Sequence, residues 1–221
     1  MLDWEVIQRY LPLFQEAAVL TVRIGVIGII FSIIVGVICA AVRYYRVPVL
    51  SQIARVYIEI SRNTPLLIQL FFIYYGLPKV GISMSAEVCG IVGLTFLGGS
   101  YMEETFRSAL ETVSKVQIES GQCIGLSGLQ VMRYVVLPQA VSVSVPGFCA
   151  NVMFLIKETS VFSIVAVADL MYVAKDLIGL YYKTDEALWL LAISYFILLL
   201  PVSAISGYAE RRLRYAQFGS N

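Results

Sequence analysis

The chain has 221 residues, 59% of them apolar and 14% charged, with a mean hydropathy of +0.81. That balance excludes an ordinary soluble domain and points to a bilayer, where about 20 residues per crossing leave room for about four to six spans in one membrane domain over residues 1–221. A net charge of +1 offers no basic field for nucleic acid, and the absence of histidine removes the commonest general base and nitrogen ligand, so neither catalysis nor a metal site is expected.

Asp3, Glu5, Arg9 and Glu16 precede the first apolar run, an arrangement unlike a cleaved signal peptide, so the first span is expected to persist. Span 1 is predicted from Ala17 to Val42, with Arg23 snorkelling to the outer headgroups. An amphipathic stretch from Arg43 to Asn63 follows. Span 2 is expected to begin at Thr64-Pro65, with Asn63 or Thr64 accepting from orphan amides, and to close at Pro78 and Gly81. Span 3 runs from Ala86 to Tyr101 and on through Glu103, Glu104 and Arg107, with Gly98-Gly99 as a bend or a close-packing point. Residues 111–139 are too long and too charged for a simple turn and read as a surface helical hairpin. Span 4 covers Val141 to Val167 with Lys157 and Glu158 embedded, Asp169 to Glu186 is an exposed connection, and span 5 runs from Ala187 to about Tyr208. The four cysteines are dispersed and read as packing residues.

Five spans place the termini on opposite sides. The segments after spans 1, 3 and 5 hold ten Lys and Arg, including Arg211, Arg212 and Arg214 of the tail, against five on the other face. The positive-inside bias therefore puts the N-terminus outside, and the 111–139 hairpin and C-terminus in the cytoplasm. The tail arginines also suit anionic membrane lipid.

The hairpin reads Glu119-Ser120-Gly121, then Gly125, then Leu137-Pro138. It resembles the EAA motif of bacterial ATP-binding-cassette importer permeases, with Ser120 and Gly121 where alanines are usual. Small residues at 120, 121 and 125 suit a tight helix-turn-helix, and Leu126 is expected to help form an apolar face. Three further stretches are similar to the polar amino acid branch, which serves histidine, arginine, glutamine, glutamate, cystine and opines: Arg62-Asn63-Thr64-Pro65-Leu66-Leu67-Ile68-Gln69, Tyr101-Met102-Glu103-Glu104-Thr105-Phe106-Arg107, and Leu155-Ile156-Lys157-Glu158-Thr159-Ser160. Asn63 stands where that branch has glycine, and Glu103 where it has alanine.

The resemblance implies an all-α polytopic membrane protein with five transmembrane helices in the type I importer permease (MetI-like) fold. Such a protein is expected to lie in the bacterial cytoplasmic membrane and to carry a polar amino acid by alternating access. It also implies a second permease copy or paralogue, an extracytoplasmic amino-acid-binding protein, and a separate ATPase subunit docked on the hairpin through Glu119, Ser120, Gly121, Gly125, Leu126, Leu137 and Pro138. No G-x-x-x-x-G-K-[ST] loop occurs, so ATP and magnesium are expected on that partner and no cofactor in this chain.

An ionised side chain at membrane depth needs a partner or a function. Lys157 and Glu158 lie about 100° apart on a helix and do not form a one-face pair. Glu158 shares a face with Asn151 and Phe154, whereas Lys157 points elsewhere and could meet Glu103 or Glu104 on span 3. One reading is a zwitterion site, with the ammonium on a substrate carboxylate and the carboxylate on a substrate amino group. Two others are an interhelical ion pair, and the gate of a channel or ion-coupled transporter. Asn151, Thr159, Gln69, Ser100, Tyr101 and Glu104 are candidates for the same substrate cavity, although polar groups on membrane helices also serve simply as helix-helix bonds.

Overall fold

The computed structural model describes residues 2–218, with side chains for 2–211, so Arg212 and Arg214 of the tail lie outside the described side chains. Every regular element among the described residues is helical. They are α1 (Trp4–Tyr44), α2 (Leu50–Arg62), α3 (Leu66–Phe71, continued by irregular helical turns to Val80), α4 (Ala86–Glu111), α5 (Lys115–Cys123), α6 (Gly128–Val131), α7 (Leu137–Glu158, extended by a 3-10 turn Thr159–Val165), α8 (Leu170–Tyr181) and α9 (Thr184–Phe218). Five crossings result: α1, the pair α2–α3, α4, α7 and α9.

Helices α1 and α4 form the centre of the bundle. They approach closely because small residues face each other: a Cβ on Gly36 would lie 2.5 Å from Met102 Cβ and 2.8 Å from Glu103 N, and one on Gly98 2.3 Å from Ser32 Oγ. Ser32 Oγ donates to Gly28 O at 2.7 Å, with Leu94 O across the interface at 3.1 Å. Gly98-Gly99 is thus a close-packing point and not a bend, since α4 continues unbroken from Ala86 to Glu111. Ile24, Leu94, Leu97, Met102, Leu155 and Phe162 form the core along this seam. The fully buried Glu103 is held there by Arg43 at 2.9 Å and Arg107 at 3.4 Å.

The helix expected from Thr64-Pro65 to Gly81 is present as α3 and its continuation to Val80. The charged stretch before the proline is itself helical and packs along α4, so the helical path reaches back to Leu50. Tyr57 donates to Phe96 O at 2.7 Å, and Ser61 bonds Phe96 O at 2.8 Å and Ser100 Oγ at 3.0 Å. The Asn63–Pro65 interruption therefore lies beside the middle of α4. A helix that ends there leaves its last carbonyls to be satisfied by side chains. Asn63 Nδ2 donates to Glu59 O at 2.7 Å, Thr64 Oγ1 to Ile60 O at 2.8 Å, and Gln69 Nε2 to both Ser61 O and Thr64 O at 2.9 Å. Asn63 and Thr64 thus cap α2 backwards and do not serve the amides of α3, whose first turn receives no side-chain cap.

At about 1.5 Å per residue the 41-residue α1 is about 60 Å long, twice the hydrocarbon thickness. Its N-terminal part is covered by α8 and the first turns of α9 through Phe14, Ala17, Leu170, Leu177, Ala187 and Leu190. The Asp169–Glu186 connection is consequently not simply exposed: α8 is amphipathic, its apolar face is sealed against α1 and α9, and Asp169 is fully buried.

Candidate functional site

The break in span 2 places charge beside a cavity. Arg62, the last residue of α2, forms an ion pair with Glu104 of α4, and its guanidinium carbon lies 5.2 Å from the centre of the Tyr101 ring. Tyr101 in turn packs on Phe154 of α7, with ring centroids 5.0 Å apart. Arg62, Asn63, Thr64, Tyr101, Phe154 and Glu158 line a cavity of about 320 Å³, floored by Leu66 and Leu97. A second hollow of about 230 Å³, bounded by Glu59, Arg62, Asn63 and Tyr101, adjoins it. Glu158 is half-buried at the end of α7 and makes no ion pair or side-chain hydrogen bond with a described residue. The site is amphoteric: a cation already held by one acid and an aromatic face, and opposite it a carboxylate without a partner. A guanidinium has five donors, so the Glu104 pair leaves Arg62 free to bind a second carboxylate.

Of the candidates read from the sequence, Tyr101 and Glu158 line this cavity, and Glu104 fixes its arginine. Gln69 is buried and staples the helix break. Ser100 is buried between Ser61 Oγ and Leu97 O. Asn151 donates to Tyr101 O at 3.1 Å and Thr105 Oγ1 at 2.9 Å, which ties α7 to α4. Thr159 is buried and donates to Ile156 O. Those four hydroxyl or amide groups are engaged in helix-helix and local bonds. Lys157 is exposed, about 100° around α7 from Glu158, and does not reach an acid on span 3, because Glu103 is engaged by Arg43 and Arg107 and Glu104 by Arg62. Arg62, which the sequence places in an amphipathic stretch and not among the candidates, also lines the cavity; its signal is its place immediately before Asn63-Thr64-Pro65, where a helix ends.

The hairpin forms a second feature. Gly121 is buried, and a Cβ there would lie 3.2 Å from Val131 Cγ2; Gly125 turns the chain with φ +90°, which a side chain would strain. Ser127 begins α6 in a capping box with Gln130. Glu119 and Ser120 face outward, while Leu137 and Pro138 start α7. Leu126 is half-buried and packs with Val131 and Val136, and the exposed large apolar side chains of the hairpin are Val116, Ile124, Leu129 and Tyr134.

A helical bundle of five crossings, with an amphoteric cavity at a helix break and a hairpin that presents bare apolar residues, has the architecture of a membrane permease. The comparisons agree. Residues 32–215 match the family described as binding-protein-dependent transport system inner membrane component. The chain is 32% identical to a probable amino-acid ABC transporter permease protein, PatM, of Vibrio harveyi over 97% of each chain, and 30% identical to the glutamine transport system permease protein GlnP of Escherichia coli (strain K12) over 96% of this chain and 98% of that one. The crystal structure of an amino acid ABC transporter with histidines superposes with a TM-score of 0.89 at 28% identity, covering 96% of this chain and 99% of that one. A chain of the MetNI methionine ABC transporter shares the fold, with a TM-score of 0.72 at 19% identity over 91% of this chain and 98% of that one. This protein belongs to the binding-protein-dependent transport system inner membrane component family, and it is a membrane-spanning permease subunit of an ATP-binding-cassette importer.

Proposed function

We propose that this permease carries a polar amino acid through the cavity between α2, α4 and α7, with Arg62 binding the substrate carboxylate and Glu158 its ammonium or a cationic side chain. The observation behind this reading is the pairing of a fixed guanidinium and an unpartnered carboxylate across one amphoteric cavity. The relatives named above, amino-acid and glutamine permeases, favour the same substrate class. In the reconstituted importer, Arg62→Met should weaken amino-acid binding to the membrane subunit by about ten- to a hundredfold, the effect of one charge-assisted hydrogen-bonded pair of about 1.5–3 kcal/mol. Arg62→Lys should recover part of that affinity. Isothermal titration decides, and wild-type affinity in Arg62→Met would remove Arg62 from the site.

The single domain works with partners. A separate ATPase subunit binds the cytoplasmic hairpin 111–139 and carries the ATP and magnesium. An extracytoplasmic receptor delivers substrate on the face where the N-terminus lies, and a second copy or a paralogue completes the pathway in the bacterial cytoplasmic membrane. Val116, Ile124 and Leu129 form the apolar contact with the ATPase, around the small residues Ser120, Gly121 and Gly125 that keep the hairpin tight. The double change Ile124→Asp and Leu129→Asp should leave the permease folded, because both side chains point away from its core, yet abolish co-purification of the ATPase. Retention of the ATPase in that variant would place the coupling surface elsewhere. ATP binding must favour one orientation of the cavity by several kcal/mol to drive transport, since a ligand with equal affinity for both states shifts neither.

A further inference from the structure

A buried acid outside the transport cavity calls for its own explanation. Asp169 closes the link between the 3-10 turn Thr159–Val165 and α8, and none of its surface is exposed. One carboxylate oxygen, Oδ1, accepts the Tyr172 amide at 2.9 Å as the N-cap of α8. The other, Oδ2, is buried with no hydrogen-bond partner. A capping role uses only the first oxygen, so the cap does not explain the second.

The surroundings do not compensate a charge there. Helix α1 presents the hydroxyl of Thr21, which is already occupied by the Leu170 amide and donates to Ala17 O. Helix α9 presents Tyr195, whose buried hydroxyl also lacks a hydrogen bond of normal geometry and lies beside Thr159. On α8 itself Lys175 exerts an attraction, but its side chain is exposed and forms no ion pair with Asp169. No basic side chain among the described residues contacts the acid. A carboxylate cut off from water, with one oxygen unpaired, is costly in its ionised form and much less so as a neutral carboxyl. Burial accordingly pushes the Asp169 carboxyl up to about 6 from its ordinary 3.8, against the opposing hydrogen bonds and Lys175.

We propose that Asp169 is a proton-binding site, and that the proton on Oδ2 determines how firmly α8 is held against α1 and α9. The step is the simple association of one proton with one carboxylate oxygen, which leaves Oδ1 free to keep the cap. The place matters because α8 follows directly from the turn that begins next to Glu158, so a change in its seating is transmitted to the end of α7. Its packed state binds the proton more tightly than a state in which α8 has lifted and Asp169 meets water. The stabilisation is therefore complete at low pH and is lost progressively as pH rises from about 4 to about 6.

Hydrogen exchange of the purified full chain in lipid nanodiscs tests this, with the amides of α8 followed from about pH 4 to about pH 7. After correction for intrinsic exchange, protection of α8 in the wild type should fall about ten- to a hundredfold over that range, as the separation of the two pKa values requires. Asp169→Asn and Asp169→Ser both keep an N-cap and neither titrates, so each should flatten the profile while leaving α4, as an internal reference, unchanged. A flat wild-type profile overturns the proposal regardless of the variants. So does an undiminished pH dependence in either substitution, which would assign the titration to another group.

Discussion

In the assembled importer, Glu158→Ala should lower amino-acid binding to the membrane subunit by about thirtyfold or more and reduce uptake to background, although the permease still folds. Glu158 is half-buried, makes no bond to another described side chain, and faces Arg62 and Tyr101 across the cavity. Its removal takes no side-chain bond from the helix packing but leaves a bound ammonium without its counter-charge. Truncating one partner of such a pair costs about 2–5 kcal/mol, which sets the expected loss. Glu158→Gln separates charge from shape: it should retain the fit and lose most of the affinity. Lys157→Met is the matched control, because Lys157 lies on another side of α7 and should bind substrate as the wild type does. Equilibrium binding to the receptor-free complex measures all three. Unaltered affinity in Glu158→Ala, or a loss in Lys157→Met as large as that in Glu158→Ala, would show that substrate recognition lies elsewhere.

The second large effect is on the fold. Gly36→Val should abolish recovery of monodisperse protein from detergent. The nearest atoms to a Cβ at that position are Met102 Cβ and the backbone at Glu103 and Gly99, none of which is the free end of a flexible side chain. Overpacking a close-packed interface costs about 1–3 kcal/mol where neighbours can adjust, and here the helices themselves must part. Separation of α1 from α4 would also pull Arg43 from the buried Glu103, leaving that acid with Arg107 alone, and breaking a buried pair is itself worth about 3–5 kcal/mol. Gly207→Ala is the contrast: its Cβ meets nothing within 4 Å, and helix propensity alone predicts a slight gain. Thermal stability by size-exclusion chromatography distinguishes the two, and a Gly36→Val protein as stable as the wild type would mean that the α1–α4 seam is looser than its geometry.

Substitution of alanine by glutamate at position 103, relative to the related branch, acquires a meaning in this light. Arg43 lies near the C-terminal end of α1 and Arg107 one turn along α4, and both converge on that carboxylate. The acid that the sequence offered as a partner for Lys157 instead fastens the two central helices together.

Hydropathy and spacing alone were enough to establish five crossings, a polar hairpin after the third and the absence of a nucleotide loop, because each depends on a property of a contiguous segment: length against bilayer thickness, small residues at a turn, or a phosphate-binding motif. The family resemblance was legible for the same reason, in stretches of adjacent residues. What only the tertiary structure decided was the direction in which charges and polar groups face. The arginine of α2 lines a cavity because α2 lies along α4 and breaks beside it; Gln69, Ser100 and Asn151 became helix staples because backbone carbonyls of neighbouring helices lie within reach; Asp169 became buried because α8 folds over α1. A polar residue on a membrane helix carries the same letter whether it serves a substrate, a carbonyl or a cap, and the choice among them depends on partners far away in the chain.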